Sequence, residues 1–369
     1  MDPIRILQVV PVMNTGGIET QVMNFYRNID KSKVQFDFLI HGKQKGFYDS
    51  EILSLGGKIF NVPSFNPFKQ WSYNKALEAF FAEHNNYKVV HSHINTFSTY
   101  PLRAAKLEGI PIRIAHSHIA YPRFDYKTPF KKYAKANLLN YATHYFACSN
   151  LAGEWLYGKK DNEFVVLKNS VDLEKFSFNP KIRDDIRTKY SLSNNLVIGH
   201  VGRLNKQKNH QFILEIFKEV NINNPNTKLV LVGDGELRGS IEKQIKLLGL
   251  KDSVILMGVR SDIPDLLQAM DLFLFPSLYE GLPVTLIEAQ TVGLPCIVST
   301  NITKEVAVTD LIEYCSLKEP VKTWAQKIDE KLKNYNRGSS QEKITNAGYD
   351  IKKTTKWLEN FYIKKAEAK

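Results

Sequence analysis

The chain has 369 residues, carries 50 Lys+Arg against 38 Asp+Glu for a net charge of +12, and is 43% hydrophobic and 24% charged. That length predicts about two domains of a globular protein, since domains run to roughly 100–200 residues. Three scattered cysteines, Cys148, Cys296 and Cys315, exclude a disulfide framework and fit a reducing compartment, and no run of about 18 apolar residues is present to cross a membrane.

Residues 4–10 hold one Arg, Arg5, before a short apolar run that ends in a turn instead of a small-residue cleavage site, so they read as a first strand and not as a signal peptide. The turn holds Asn14-Thr15-Gly16-Gly17 ahead of a helical pattern over 17–28. Glycine there permits close approach of backbone to a phosphate or a sugar, and equally permits a plain tight turn. Strands follow at 35–40, 58–62, 89–92, 112–116, 145–148 and 164–167, with helical patterns at 73–83 and 96–107. Two strands end in His-x-His, as His91-Ser92-His93 and His116-Ser117-His118. Residues two apart on a strand share a face, but no third and fourth ligand is evident, so the pairs read as polar strand ends and no metal is expected. Residues 121–141 interleave Arg123, Lys127, Lys131, Lys132 and Lys135 with aromatics. Such a helix either packs on the sheet with a solvated lysine face or lies on an anionic membrane surface.

The positive charge is uneven: residues 1–190 hold 26 Lys+Arg and 17 Asp+Glu, a net +9, whereas residues 191–369 hold 24 and 21, a net +3. No nucleic-acid-binding module accompanies the excess, so nucleic acid is not an expected partner. The polar stretch 169–180 marks a boundary there or just after the next helix, near 190, giving domains at 1–180 and 181–350 with a closing helix at 351–369 that crosses back to the first. The second domain restarts the alternation: strand 197–201, helix 207–221, strand 228–232, helix 237–247, strand 254–257, helix 263–269, and strands 272–275 and 296–299. Strands alternating with helices predict parallel sheets, hence two doubly wound α/β domains facing a cleft.

Three strings in this half carry chemistry. In 199–210, Arg203 and Lys208 stand five apart between a strand and a helix, where a fixed Arg–Lys pair could neutralise a diphosphate. Gly233 to Gly239 reads G-x-G-x3-G, one residue off the dinucleotide fingerprint and not at the first strand, so it is a strand–turn–helix junction and not an NAD site. The third string, 276–295, holds Glu280 and Glu288 spaced E-x7-E around Gly281-Leu282-Pro283-Val284. Pro283 reads as a first-turn helix proline, which puts Glu280 on the loop and Glu288 on the helix.

The 276–295 string resembles the signature of retaining glycosyltransferases of family four, with the GT-B fold of two Rossmann-like domains, and the strings closest to it belong to bacterial exopolysaccharide and capsule transferases. The resemblance covers nearly the whole chain, with its specific motifs at 199–299. It implies a retaining transfer of a sugar from a nucleotide donor, UDP before GDP or ADP, to an acceptor hydroxyl carried on a glycan or a lipid-linked oligosaccharide. It also implies roles. Glu288 binds the ribose hydroxyls, Glu280 a donor-sugar hydroxyl, and Gly281, Leu282, Pro283 and Val284 lie against the sugar and β-phosphate. Arg203 and Lys208 stabilise the leaving diphosphate, Gly16 and Gly17 face the donor from the first domain, and His118, or His116 one register position away, assists transfer. No D-x-D is present, so no metal or other cofactor is expected. A cytoplasmic enzyme, peripheral on the inner face of the plasma membrane through 123–135, is implied. Alternatives are a GT-B sugar-nucleotide epimerase and a non-catalytic transferase-like partner subunit.

Overall fold

The computed structural model describes residues 2–119, 125–158, 163–333, 335 and 337–367. The chain divides into two compact units, 1–170 with 351–369, and 171–350.

In the first unit the elements run β1 Ile4–Val10, α1 Gly17–Asn28, β2 Val34–His41, α2 Asp49–Ser54, β3 Ile59–Val62, α3 Gln70–Glu83, β4 Val89–Ser92, α4 Thr99–Leu107, β5 Ile112–Ser117, α5 Thr128–Asn137, β6 His144–Ala147, α6 Asn150–Tyr157 and β7 Val165–Val166. They form a seven-stranded sheet in the order β3-β2-β1-β4-β5-β6-β7, and every recorded pairing is parallel. Both faces are covered. One carries Leu7, Val9, Leu39 and Val90 against α3, α4 and α6. The other carries Ile6, Phe36, Phe38 and Val89 against α1 and the C-terminal helix α14, Ile351–Glu367. Burial on both faces is why the strands are nearly continuous apolar runs.

The second unit runs α7 Pro180–Lys189, β8 Leu196–Val201, α8 His210–Asn223, β9 Thr227–Val232, α9 Arg238–Leu247, β10 Val254–Leu256, α10 Ile263–Ala269, β11 Leu272–Phe275, α11 Val284–Thr291, β12 Cys296–Ser299, β13 Ile312–Cys315, α12 Val321–Lys333 and α13 Gln341–Asn346. Its six strands lie in the order β10-β9-β8-β11-β12-β13, again with parallel pairings. In each unit the strand order reverses beside the first strand, between β1 and β4 and between β8 and β11. In open parallel sheets ligands bind outside the carboxyl ends of the strands at such a reversal.

The units part at residue 170, ten residues before the boundary read from the sequence at 180. The polar stretch belongs to the second unit because its few apolar residues are buried there. Phe176 sits in that core, the Asn179 amide donates to Gln268 Oε1 (3.0 Å), and the Val171 amide donates to the Tyr349 carbonyl (2.8 Å). At the other end α14 returns to the first unit, where Ile351, Leu358 and Tyr362 are buried.

Two helix starts also differ. The helical pattern at 96–107 splits into a 3-10 turn, Asn95–Ser98, and α4, with Asn95 at φ 53°. The pattern at 207–221 begins at His210, because Asn209 takes a left-handed conformation (φ 56°) that separates the 3-10 turn Lys206–Lys208 from α8.

Candidate active site

In the second unit, β8 and β11 are adjacent, so the loops that leave their carboxyl ends meet. The β8 loop is shaped by its own side chains: Asn205 Oδ1 accepts from the Lys208 amide (3.2 Å) and caps the turn Lys206–Lys208. Two bonds tie it to the β11 loop, from the Leu278 amide to the Gln207 carbonyl (2.9 Å) and from Asn209 Nδ2 to the Pro276 carbonyl (3.2 Å). Lys208 is thereby aimed inward. Its Nζ sits 4.6 Å from the Phe275 ring centroid and 2.7 Å from Glu280 Oε1, and both side chains of the ion pair are largely buried, at 14% and 10% exposure. Gln207 Nε2 donates to the other oxygen, Glu280 Oε2 (3.0 Å). Lys208 and Glu280, expected from the sequence to make separate ligand contacts, therefore form one charge pair. Arg203, exposed on the same loop, makes no side-chain hydrogen bond or ion pair among the described residues.

Three glycines stand in close contact here. A Cβ on Gly202 would lie 2.9 Å from Lys208 Cε and 3.0 Å from His200 Nε2. Gly233, at φ +133°, would place a Cβ 2.1 Å from the Gly202 carbonyl oxygen, and a Cβ on Gly235 would lie 2.5 Å from the Leu204 carbonyl oxygen. Gly233 and Gly235 thus let the β9 turn press against the Arg203 loop, held by Leu204 N to Asp234 O (3.0 Å) and Leu237 N to Leu204 O (3.0 Å). Gly233→Ala is expected to lower stability by about 3 kcal/mol, because strained backbone and a backbone clash combine. Thermal unfolding checks it, and an unchanged melting temperature would refute the close-approach account.

Pro283 does not occupy the first helical turn. It caps α11 with extended backbone (φ −74°, ψ 105°), and the helix begins one residue later at Val284. Leu282 and Pro283 are buried, while Gly281 and Val284 are half-buried. Glu288 lies one turn into α11, half-buried, with no side-chain partner among the described residues. Loss of hydration raises its carboxyl to about 7. Beneath the Lys208 loop lie His200 and His210, to which the sequence reading gave no role. His200 Nδ1 donates to the Leu274 carbonyl (2.8 Å), and its ring stacks on Phe273 and Phe275. Burial holds His200 well below the ordinary histidine value and His210 at about 4.

In the first unit, Gly16 is the residue before α1, with Glu19 folded against it so closely that a Cβ on Gly16 would lie 2.2 Å from Glu19 Oε2. Gly17 has nothing within 4 Å of the position a Cβ would take. The two His-x-His pairs are brought together at the carboxyl ends of β4 and β5. His91, His93 and His116 hold ring nitrogens within 4.8 Å of one another, a proximity the sequence did not show. His91 Nε2 and His116 Nδ1 are 3.1 Å apart, and His93 Nδ1 and His118 Nε2 are 3.0 Å apart. Burial keeps all four neutral, with His118 lowered to about 3. Both His116 and His118 therefore belong to one cluster.

Of the basic segment, Arg123 lies outside the described residues. In α5 only Ala134 is buried. Lys135 sits over the Trp155 ring, where desolvation lowers its pKa, Lys131 pairs with Asp125 at 2.8 Å, and Lys132 is exposed with Tyr126 and Tyr133. No helix of the described residues is long and apolar enough to cross a membrane.

Comparison with known proteins decides the family. A model described as "Glycosyl transferases group 1" matches residues 182–351 and one described as "Glycosyltransferase Family 4" matches residues 15–175. The putative glycosyltransferase EpsF of Bacillus subtilis is 37% identical over 372 residues, covering 97% of this chain and 96% of the relative. The chain belongs to the family 4 glycosyltransferases. A UDP-Gal:alpha-D-GlcNAc-diphosphoundecaprenol alpha-1,3-galactosyltransferase of Escherichia coli is 31% identical over 300 residues, 75% of each chain. Among solved structures, Anabaena Alr3699/HepE in complex with UDP and glucose matches this glycosyltransferase with a TM-score of 0.78 at 18% identity, over 97% of this chain and 99% of that one. That likeness places the glycosyltransferase in the GT-B fold. The side chains that the sequence missed, Gln207, His200 and His210, surround Lys208. Only His200, at the end of an apolar strand, carried a signal, and a core histidine gives the same one.

Proposed function

We propose that this glycosyltransferase moves a sugar from a UDP-sugar to an acceptor hydroxyl, with retention at the anomeric carbon and without a metal, in the assembly of a lipid-linked polysaccharide. The observation that carries this reading is the Lys208–Glu280 pair, with the unpaired Arg203 beside it, at the strand-order reversal of the second unit. A desolvated lysine and a free guanidinium supply positive charge where a diphosphate leaves, and stabilising that charge is where fixed electrostatics contributes most. Glu280, oriented by Lys208 and Gln207, accepts a donor-sugar hydroxyl. Glu288 accepts the ribose hydroxyls, and the 281–284 backbone lies against the sugar and β-phosphate. With Glu280 committed to two partners, a front-face transfer is favoured over a carboxylate nucleophile, the leaving phosphate taking the acceptor's proton. The names of relatives support the substrate class: the E. coli relative is named for UDP-Gal and a diphosphoundecaprenol acceptor, and a Staphylococcus aureus relative, CapH, for capsular polysaccharide.

The test is a panel of nucleotide sugars read by thermal unfolding and by slow donor hydrolysis. A bound UDP-sugar at 100 times its Kd should stabilise by about 2.7 kcal/mol. Equal response to GDP- and ADP-sugars would refute the UDP assignment, undiminished turnover in EDTA is required, and an inverted anomer in the product would refute retention. Gly17 gives a second check. The space beside it predicts that Gly17→Ala changes stability by less than about 1 kcal/mol, while a donor approaching that backbone would lose affinity tenfold or more; unchanged donor affinity would remove Gly17 from the site. The exposed Lys132, Tyr126 and Tyr133 favour contact of α5 with an anionic membrane surface, measured by co-sedimentation with phosphatidylglycerol vesicles.

A further inference from the structure

The four histidines form two stacked layers. In the inner layer the His91 and His116 rings are joined edge to edge, in the outer layer His93 and His118, and the layers stack with His91 on His93 (centroids 4.3 Å) and His116 on His118 (4.1 Å). The stack ends on two groups shared by both layers. Gln8 Oε1 lies 2.8 Å from His93 Nε2, Gln8 Nε2 donates to Tyr362 Oη (3.4 Å), and Tyr362 Oη lies 2.7 Å from His91 Nδ1. Gln8 is on β1 and Tyr362 on α14, both buried.

Proton counting then fixes every tautomer. The Gln8 carbonyl only accepts, so His93 carries its proton on Nε2 and its Nδ1 must accept from His118 Nε2–H. Tyr362 accepts from the Gln8 amide and gives its single proton to His91 Nδ1, so His91 donates from Nε2 to His116 Nδ1. All four rings are therefore Nε2–H tautomers. Two buried nitrogens at the far end have no partner among the described residues, His116 Nε2 and His118 Nδ1. The first is a donor and the second a bare acceptor. Turning the Gln8 amide over would reverse every bond in the stack and exchange the two.

We propose that Gln8 is a positioning residue that sets the proton polarity of this stack, so that His118 presents a bare Nδ1, and His116 an N–H, to a hydroxyl-bearing substrate. The substrate-facing part rests on the reading of His118 given above; the polarity itself does not. Burial supports it, because neutral rings are the only form that leaves each with one donor and one acceptor.

The experiment is long-range proton–nitrogen NMR on the whole chain labelled with 15N-histidine, which distinguishes Nε2–H from Nδ1–H rings without substrate. Four Nε2–H rings are expected, and Nδ1–H rings at His93 and His118 would overturn the proposal. One equivalent of Zn2+ displacing the ring protons would overturn it too, in favour of a metal site. Two variants add kinetics. Gln8→Glu still accepts from His93 but no longer donates to Tyr362, so it should keep the outer layer's polarity and retain clearly more of kcat than removal of the acceptor does. Gln8→Leu removes the acceptor and should lower kcat tenfold or more with KM little changed. Equal losses in both would mean that Gln8 is merely structural. Four Nε2–H rings together with full activity of Gln8→Leu would leave the polarity standing and remove His118 from the transfer. Tyr362→Phe removes the bond to His91 and the acceptor of the Gln8 amide but leaves the Gln8 Oε1–His93 contact, and keeps the outer layer testable if a Gln8 variant fails to fold.

Discussion

Lys208→Met is expected to lower kcat/KM by about 10²–10³-fold, the usual consequence of deleting one preorganised group that stabilises transition-state charge. It is also expected to cost about 1–3 kcal/mol of stability, because Glu280, only 10% exposed, loses its 2.7 Å partner and keeps only the Gln207 amide. The two effects separate in a double variant. Lys208→Met with Glu280→Gln removes the orphaned charge, so stability should return to within about 1 kcal/mol of the parent while activity stays low. Arg203→Ala offers the complement, since an exposed side chain without a partner should leave the melting temperature unchanged and still weaken diphosphate binding. Chemical denaturation and single-turnover kinetics on the four proteins decide the matter. If the double variant recovers activity along with stability, Lys208 only supports the fold.

Glu288→Gln is expected to do opposite things to stability and to donor binding. The folded carboxyl is raised to about 7 by burial, against an ordinary value of 4.5. A raised carboxyl contributes stability that is fully present below its unfolded value and is lost as the pH climbs to the folded one. The window is therefore pH 4.5 to about 7, flat above it. The full shift corresponds to about 3.4 kcal/mol, and partial exposure of the residue reduces this to about 1–2 kcal/mol. Glu288→Gln should thus melt higher than the parent above pH 7 and together with it near pH 4.5. The same variant should bind UDP at least tenfold more weakly, since an amide accepts the paired ribose hydroxyls less well than a carboxylate. Parallel melting curves across that pH range would show that the carboxyl is not desolvated. Unchanged UDP affinity would exclude it from the ribose contact.

Local pattern was enough for most of the secondary structure. Strands such as Ile4–Val10, Leu272–Phe275 and Cys296–Ser299 are nearly continuous apolar runs bounded by turn residues, and parallel sheets buried on both faces favour such runs. Boundaries failed where one backbone torsion decided them, as at Asn95 and Asn209, whose left-handed conformations no periodicity announces. The polar stretch after 169 was read as a linker because its composition is polar; Phe176 and the Asn179–Gln268 bond assign it to the second unit, and such contacts lie far apart in sequence.

The residue identities of the candidate site were legible from local strings: Arg203 and Lys208 five apart, and Glu280 and Glu288 eight apart. Their partnerships were not. That Lys208 pairs with Glu280, that Gln207 holds the second oxygen, and that Gly233 is a glycine for the sake of the Arg203 loop all depend on β8 lying between β9 and β11. The two His-x-His strings looked like separate strand ends. Pairing of β4 with β5 turned them into one stack, and Gln8 and Tyr362, 354 residues apart, close it. By itself the sequence determined the elements, the fold class and the chemical groups, because periodicity and motif spacing are local properties. Only the tertiary structure decided which of those groups share a charge or a proton, because strand order and the return of the last helix bring together residues that the sequence keeps apart.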